Sequence, residues 1–344
     1  MTQKNKNLDC HALRARNDRV FKIIAIVASI PVTIFLLAVI VFNIFTKAPA
    51  AKNLRHSKKG FVIPYSNKGY IAQGISYDEG SGNFYLTGYM KDGSASPIFV
   101  VNKETRKFVN AVRMTNPDGS AFTGHAGGLS VADGKIYIAG SGDCCFYVFD
   151  KAAVDNAKRD SNLSYTDVID VQGAGDKIKV SFSTYHNGLL YAGEFHREPN
   201  YKLLDSHQVM TEDGLQYAIT AGFSISDGKA IPQVAFSLPD FVQGMCFSDD
   251  SIYLTTSWGL GKSYVYKYSY GKLEQSGTKE ICGKEVPLYI LTLSNTTASF
   301  VLPPMAEEIE FVDGRFYITN ESASNKYVFG KFTGGRWCRA YDLQ

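Results

Sequence analysis

The chain is short of net charge: 36 Lys and Arg stand against 33 Asp and Glu in 344 residues, leaving +3. Much of that excess lies close to the N-terminal apolar run, so a nucleic-acid partner finds no support, and contact with anionic lipid head groups is the better use of the basic residues. No CxxC pair occurs, which leaves neither a zinc ribbon nor a thioredoxin-like centre indicated. No GxSxG turn occurs, and the serines and six histidines carry no nucleophile signature, so Ser–His–Asp hydrolysis lacks a carrier. No cluster of His, Cys, Asp or Glu has recognised metal-ligand spacing, and no metal ligand is assigned.

Cysteine is sparse, at six residues. Cys10 precedes the apolar run, leaving Cys144, Cys145, Cys246, Cys282 and Cys338 beyond it, an odd set that cannot all pair within one chain. Cys246, inside Gly244-Met245-Cys246-Phe247, reads as core packing. Cys282 and Cys338 are the pair a bridge would join, and the adjacent Cys144 and Cys145 are either a vicinal disulfide or two packed thiols.

What is present begins with one apolar run, Ile23 to Phe45, long enough to cross a bilayer as a tilted helix. Pro31 and Asn43 interrupt it only mildly. Ala48-Pro49-Ala50 resembles a cleavage site, but the run exceeds the roughly 7 to 15 residues of a signal-peptide core, so an uncleaved signal anchor is the preferred reading. Basic residues flank the run on both sides (Lys4, Lys6, Arg14, Arg16, Arg19 and Lys22 before it, Lys47, Lys52, Arg55, Lys58 and Lys59 after it), so charge alone does not orient it. The short N-terminal tail favours a single-pass cell-membrane protein: residues 1–22 a cytoplasmic tail, 23–45 the transmembrane anchor, 46–60 a stalk, and 61–344 an extracytoplasmic domain.

That domain repeats. A short apolar strand ending in Tyr recurs at Tyr85, Tyr137, Tyr191, Tyr253 and Tyr317, roughly 52 to 64 residues apart. Each follows a related strand: Gln73-Gly74-Ile75, Gly127-Gly128-Leu129, Ser181-Phe182-Ser183, Gln243-Gly244-Met245 and Glu307-Glu308-Ile309. A lone four-stranded blade cannot bury both faces, whereas a ring of blades can, so the pattern predicts an all-β domain, a β-propeller of five four-stranded blades. A sixth blade hidden in the third or fourth repeat is the alternative. Asp-Gly pairs at 92–93, 118–119, 133–134, 213–214, 227–228 and 313–314 mark the turns. The last repeat ends with Tyr327-Val328-Phe329 and a strand through Arg336 to Ala340, and residues 61 to 70 are placed to add a strand to it and latch the ring. Lys151 to Asp160 reads as one or two helical turns. Arg197 to Leu215 is a polar insertion between the second and third strands of the third repeat, either a lid or binding loop or a tolerated surface excursion.

The segments Gln73 to Tyr77, Gly124 to Leu129, Val242 to Met245 and Leu302 to Ile309 resemble those of bacterial secreted or membrane-anchored β-propeller proteins, loosely similar to the YVTN and gluconolactonase-like propellers. The resemblance covers roughly residues 70 to 330 and implies an extracytoplasmic propeller; it implies no catalytic set.

In a propeller the starts of the inner strands face one mouth of the channel. Those positions offer Gln73, His125, Gln243, Glu307 and Glu308. The residues just after the second strands offer Tyr89, Ser141, Glu194, His196, Ser257, Trp258, Asn320 and Glu321. Of these, Gln73, His125, His196, Gln243, Trp258 and Glu308 are the expected ligand-binding residues, a set that suits sugars, peptides or polar metabolites. Strand alternation would send Glu307 and Glu308 to opposite faces. The leading expectation is a membrane-anchored module binding an extracellular ligand or an envelope protein. The alternative is a hydrolase of a glycan, lactone or phosphate ester, with Glu307 working alongside Glu194 or Glu321. No cofactor is assigned, and Ca2+ held by carboxylates and carbonyls is the version a metal would take.

Overall fold

The computed structural model describes residues 3–327 and 330–343. The chain divides into two units, Met1–Phe45 and Thr46–Gln344. Val328 and Phe329, read as part of the closing repeat, and Gln344 lie outside the described residues.

The first unit belongs to a helix running from Gln3 to Lys47. Its stretch from Arg16 to Lys47, 32 residues, is long and apolar enough to cross a membrane. Polar side chains within it are satisfied by the helix itself: Ser29 donates to the Ile26 carbonyl at 2.7 Å, Thr33 to Ser29 at 2.9 Å and Asn43 to Val39 at 2.8 Å.

The second unit is a five-bladed propeller. Each blade is named here by its strands from the axis outward. Blade 1 comprises Tyr70–Asp78, Asn83–Met90, Pro97–Asn102 and Phe108–Thr115. Blade 2 comprises Leu129–Ala132, Lys135–Gly140, Cys145–Asp150 and Asp167–Asp170. Blade 3 comprises Phe182–His186, Leu189–Gly193, Ala218–Ser226 and Lys229–Leu238. Blade 4 comprises Val242–Ser248, Ser251–Thr256, Ser263–Ser269 and Ala298–Leu302. Blade 5 comprises Ala306–Val312, Arg315–Asn320, Trp337–Tyr341 and, from the other end of the domain, Ser57–Val62. This last strand pairs antiparallel with Trp337–Tyr341, Phe61 opposite Cys338, and closes the ring.

The repeated tyrosines explain the closure. Each belongs to the apolar layer between its own blade and the next: Tyr85 with Leu129 and Phe149, Tyr137 with Leu190 and Ile219, Tyr191 with Met245 and Leu254. Tyr253 packs on Phe316 with ring centroids 4.3 Å apart, and Tyr317 on Phe84 at 4.6 Å, which carries the series from blade 5 back to blade 1. A side chain of that size at every junction, buried at four of them and partly buried at Tyr317, supplies the apolar area a single blade lacks. The tight hairpins use Asp-Gly pairs with both residues at positive φ, as at Asp133 (50°) and Gly134 (73°), a twist that matches the flanking strands.

Several boundaries differ from the sequence expectation. The latch strand begins at Ser57, inside the segment read as a stalk, and Ala51–Arg55 of that segment is a short helix held by Asn53, which donates to the Val301 carbonyl at 2.9 Å. No sixth blade forms among the described residues. The extra strands of the fourth repeat, Thr278–Ile281 and Lys284–Ile290, instead extend blade 3, with Ala235 to Ser237 pairing in parallel with Leu288 to Ile290. Ser161–Ser164 extends blade 1 in the same way. Lys151–Asn156 is the expected helical turn, capped by Asp150, whose side chain accepts from the Ala153 amide. Cys144, Cys145, Cys246, Cys282 and Cys338 are free thiols. The Cys282–Cys338 bridge does not form because Cys282 lies at the turn of the outer hairpin on blade 3 and Cys338 lies in blade 5.

Candidate functional site

The inner strands carry irregularities where the site residues sit. The pairing register slips between Ala72 and Ile75, between Val242 and Gly244, and between Ala306 and Ile309. Gln73, Gln243, Glu307 and Glu308 therefore lie in bulges, where an extra residue re-aims the side chains.

The effect is clearest at Glu307 and Glu308. Across the bulge the two carboxyls have different surroundings: Glu308 meets backbone amides of three inner strands, whereas Glu307 lines the mouth cavity. Glu308 Oε2 accepts the backbone N–H of Ile75 at 2.7 Å and of Leu129 at 3.2 Å, while Oε1 accepts that of Ser183 at 2.8 Å. One carboxylate from blade 5 thus joins the inner strands of blades 1, 2 and 3. It fits because glycines stand around it. A Cβ on Gly128 would meet the Ser183 amide nitrogen at 2.5 Å and Glu308 Oε1 at 2.8 Å, and one on Gly244 would meet Glu308 Cα at 2.7 Å. Burial pushes the Glu308 carboxyl well up, and the three N–H donors offset part of that push.

Glu307 instead lines a cavity of about 740 Å³ at the channel mouth. Its carboxyl has no hydrogen-bond partner among the described residues, although the side chain is buried. Burial first, then the neighbouring Glu321 and Glu308, raise its pKa well above the carboxylate range. Burial likewise raises that of Glu321, although Tyr327, which donates to Glu321 Oε2 at 2.8 Å, opposes the shift.

Around this pair the mouth is ordered by a polar chain. His125 Nε2 donates to Gln73 Oε1 at 2.7 Å, and the Gln73 amide turns to the Ala72 carbonyl at 2.9 Å and towards Glu321 Oε2 at 3.5 Å. Burial, with Lys326 nearby, lowers the His125 pKa to about 4, so the imidazole is neutral. It lies against Tyr89, with centroids 4.5 Å apart. Lys326 donates to the Tyr89 hydroxyl at 2.6 Å and sits 5.1 Å from the centre of the Tyr327 ring. The facing wall is aromatic: Phe195, Tyr201 and Trp258 pack together, with Arg197 stacked 4.0 Å over Trp258.

Of the residues expected from sequence, Gln73, His125, Gln243, Trp258, Glu307 and Glu321 line this one cavity, with Tyr89, Ser141 and Ser257 beside them. Glu308 lies at the axis and is occupied by backbone. Glu194 and His196 do not line the cavity. Glu194 accepts from His207 Nδ1 at 2.9 Å and from the amides of Lys179 and Ile219 at 3.2 and 3.3 Å. His207, brought in by the 197–215 insertion, also reaches Asp176 through Nε2 at 2.7 Å. Burial opposes its charge, but the two carboxylates win and raise its pKa to about 9. His196 is buried against Tyr217, stacked at 4.4 Å, and its Nδ1 meets Asp240 at 2.7 Å.

Lys179, Lys326 and Tyr327 also line the mouth and are not among the expected residues, while Asn200 to Leu203 come from the segment expected as either a lid or binding loop or a surface excursion. Lys179 and Ser181 stand just before the inner strand of blade 3, the position that yielded Gln73 and His125 elsewhere, so the repeat itself was a usable signal. Asn200 to Leu203 come from the insertion, where no periodicity marks which residues turn inward. Among the described residues no group of three or more His, Cys, Asp or Glu converges in a way that could hold a metal ion.

No family model matches the chain, and no curated protein matches it. Among solved structures it is similar to the glutaminyl cyclase of Myxococcus xanthus, at 11% identity and a TM-score of 0.43, covering 83% of this chain and 94% of that one. It is also similar to a luciferin-regenerating enzyme, at 9% identity and a TM-score of 0.41, with the same coverage of 83% and 94%. At these values nothing of either protein's activity passes to this chain, and the resemblance to YVTN and gluconolactonase-like propellers stands at the coarser level of a β-propeller.

Proposed function

We propose that this chain is a single-pass, membrane-anchored propeller, with its C-terminal domain extracytoplasmic, that binds a small polar ligand at the channel mouth. One observation carries the reading: Glu307, buried and without a hydrogen-bond partner among the described residues, opens onto a cavity of about 740 Å³. A buried carboxyl costs free energy until a donor meets it, so the site favours a ligand bearing hydroxyl or amine groups. The Phe195, Tyr201 and Trp258 wall adds a face on which a sugar ring or planar group stacks. Glu307 and Glu321 offer carboxylate oxygens, but Ca2+ takes about six to eight oxygen ligands, and an organic ligand uses the aromatic wall as an ion would not.

The test is a thermal-shift screen of the full chain in detergent against sugars, polyols, amines and short peptides. At least one class should raise the midpoint, and Glu307→Gln and Trp258→Ala should each weaken binding about tenfold, equivalent to about 1.4 kcal/mol. A hit that both variants bind as tightly as the parent chain would contradict the proposal.

A second reading is favoured by the acid pair alone. General acid–base hydrolysis uses one carboxyl held protonated beside one that ionises, and burial suits Glu307 to the acid while the Tyr327 and Gln73 hydrogen bonds and nearby Lys326 favour the charged form of Glu321. Turnover of a glycoside, lactone or phosphate ester that is lost in both Glu307→Gln and Glu321→Gln would establish it over simple binding.

A further inference from the structure

A second cavity opens beside the mouth on blade 4, with a volume of about 390 Å³. It shares Ser257 and Trp258 with the mouth cavity, so the two meet at that wall. We propose that this cleft is a second sugar subsite, and that the ligand of the mouth is an oligosaccharide whose chain runs past Trp258 into it. The chain-like ligand rests on the mouth-binding reading; the cleft's own fit to a sugar ring does not.

One wall of the cleft is a strained turn. Phe241, between the outer strand of blade 3 and the inner strand of blade 4, is held at φ 67°, in the left-handed region that a bulky side chain rarely enters. Its side chain is 36% exposed. Three hydrogen bonds fix the turn: the Phe241 N–H donates to the His196 carbonyl at 3.2 Å, the Phe241 carbonyl accepts the Ser257 N–H at 3.0 Å, and His196 Nδ1 meets Asp240 Oδ1 at 2.7 Å. His196 is itself clamped against Tyr217. A conformation that strains the backbone and leaves an apolar ring in solvent persists only where its surroundings impose it, and such positions gather at ligand sites. His196, expected from sequence to bind ligand, is thus a positioning residue for this wall.

The rest of the lining names the ligand class. Tyr264 and Tyr266, two residues apart on one strand and so on one face, stand with ring centroids 5.6 Å apart and 6° from parallel. With Phe241 and Trp258 they give the cleft an aromatic surface on which the apolar face of a sugar ring stacks. The charged residues lining it are one acid, Asp240, and one base, Lys262, which together select for no net charge. An acceptor and a donor beside aromatic rings suit the hydroxyls of a neutral sugar. The mouth has its own aromatic wall, and Trp258 belongs to both, so successive rings of one chain find successive stacking surfaces.

The test is calorimetric titration of the full chain, in a detergent without a sugar headgroup. The probes are cello-, malto- and chito-oligosaccharides of one to four units, with alanine peptides of the same lengths. In at least one sugar series the four-unit member should bind about tenfold tighter than the single unit. Phe241→Gly and Tyr264→Ala should each remove most of that gain and leave the single unit bound as in the parent chain. Phe241→Gly takes away an exposed side chain and suits the positive φ, so this variant folds. Glu307→Gln should instead weaken both lengths by the same factor. The inference is overturned when affinity does not grow with length in any sugar series, when both cleft variants keep the gain, or when only the peptides show one. A gain with length that depends on Phe241 and Tyr264, in sugars whose binding ignores Glu307, upholds the cleft and removes the mouth reading. Binding that depends on Glu307 with no gain from length does the reverse, so the two readings fail separately.

Discussion

Glu308 spends both carboxylate oxygens on the amides of Ile75, Leu129 and Ser183, and no neutral side chain replaces that function. In Glu308→Gln the amide NH2 would face N–H donors, leaving at least one of them unsatisfied in a buried setting. We expect a loss of about 2 to 3 kcal/mol in denaturant unfolding; an unchanged midpoint would show that the carboxylate does not hold the three blades together. Glu307 predicts the opposite sign. Its pKa is raised in the folded chain, so its protonated form favours folding below the ordinary carboxylate value near 4.5, and that contribution is lost as pH rises towards the folded value. Glu307→Gln should therefore match the parent at acid pH and exceed it in melting temperature at neutral pH. His207 sets a second window. Its pKa rises from 6.5 to about 9, so its contribution is fully present below 6.5 and lost as pH rises through about 9. The parent should lose about 3 kcal/mol over that range and His207→Gln should not, a difference read from pH-dependent unfolding.

At the scale of elements, the bulges turn a regular repeat into a site. The first repeat's four strands, the Asp-Gly turns and the helical turn after Asp150 follow from local pattern, because period-two alternation and turn chemistry act over a few residues. The bulge at Glu307-Glu308 does not, because it is set by the amides of three other blades that approach from far along the chain. The same distance hid the fate of Glu194: its position after a second strand is right for the mouth, but the insertion delivers His207 and draws the carboxylate inward. The throat's glycines make a prediction of their own. Gly128→Ala would place a Cβ against backbone of Phe182 and Ser183 at 2.5 to 2.6 Å, which no side-chain motion relieves. Loss of the cooperative thermal transition, or a fall of several degrees, is the expected result.

At the scale of the whole molecule, ring closure depends on pairing the two ends of the domain. The tyrosine period makes a five-fold ring readable in the sequence, since one large apolar side chain per junction is a signal that survives variable loops. The latch strand expected within residues 61 to 70 begins instead at Ser57, because Ser57-Lys58-Lys59-Gly60 reads as a solvated basic stretch until it pairs with the strand at Trp337–Tyr341. Removing Ser57–Val62 should leave blade 5 with three strands and an exposed edge, and the domain should unfold or self-associate in sedimentation.

The ring gathers one residue or more from each blade at the mouth, and what it gathers is an acid pair facing an aromatic wall. A crystal structure of the full chain with the best ligand from the screen tests that account most directly. It predicts ligand density in the mouth cavity, with a donor atom within hydrogen-bond distance of Glu307 and a ring or apolar face on Trp258. Ligand density elsewhere on the surface, with the mouth cavity holding none, would contradict it.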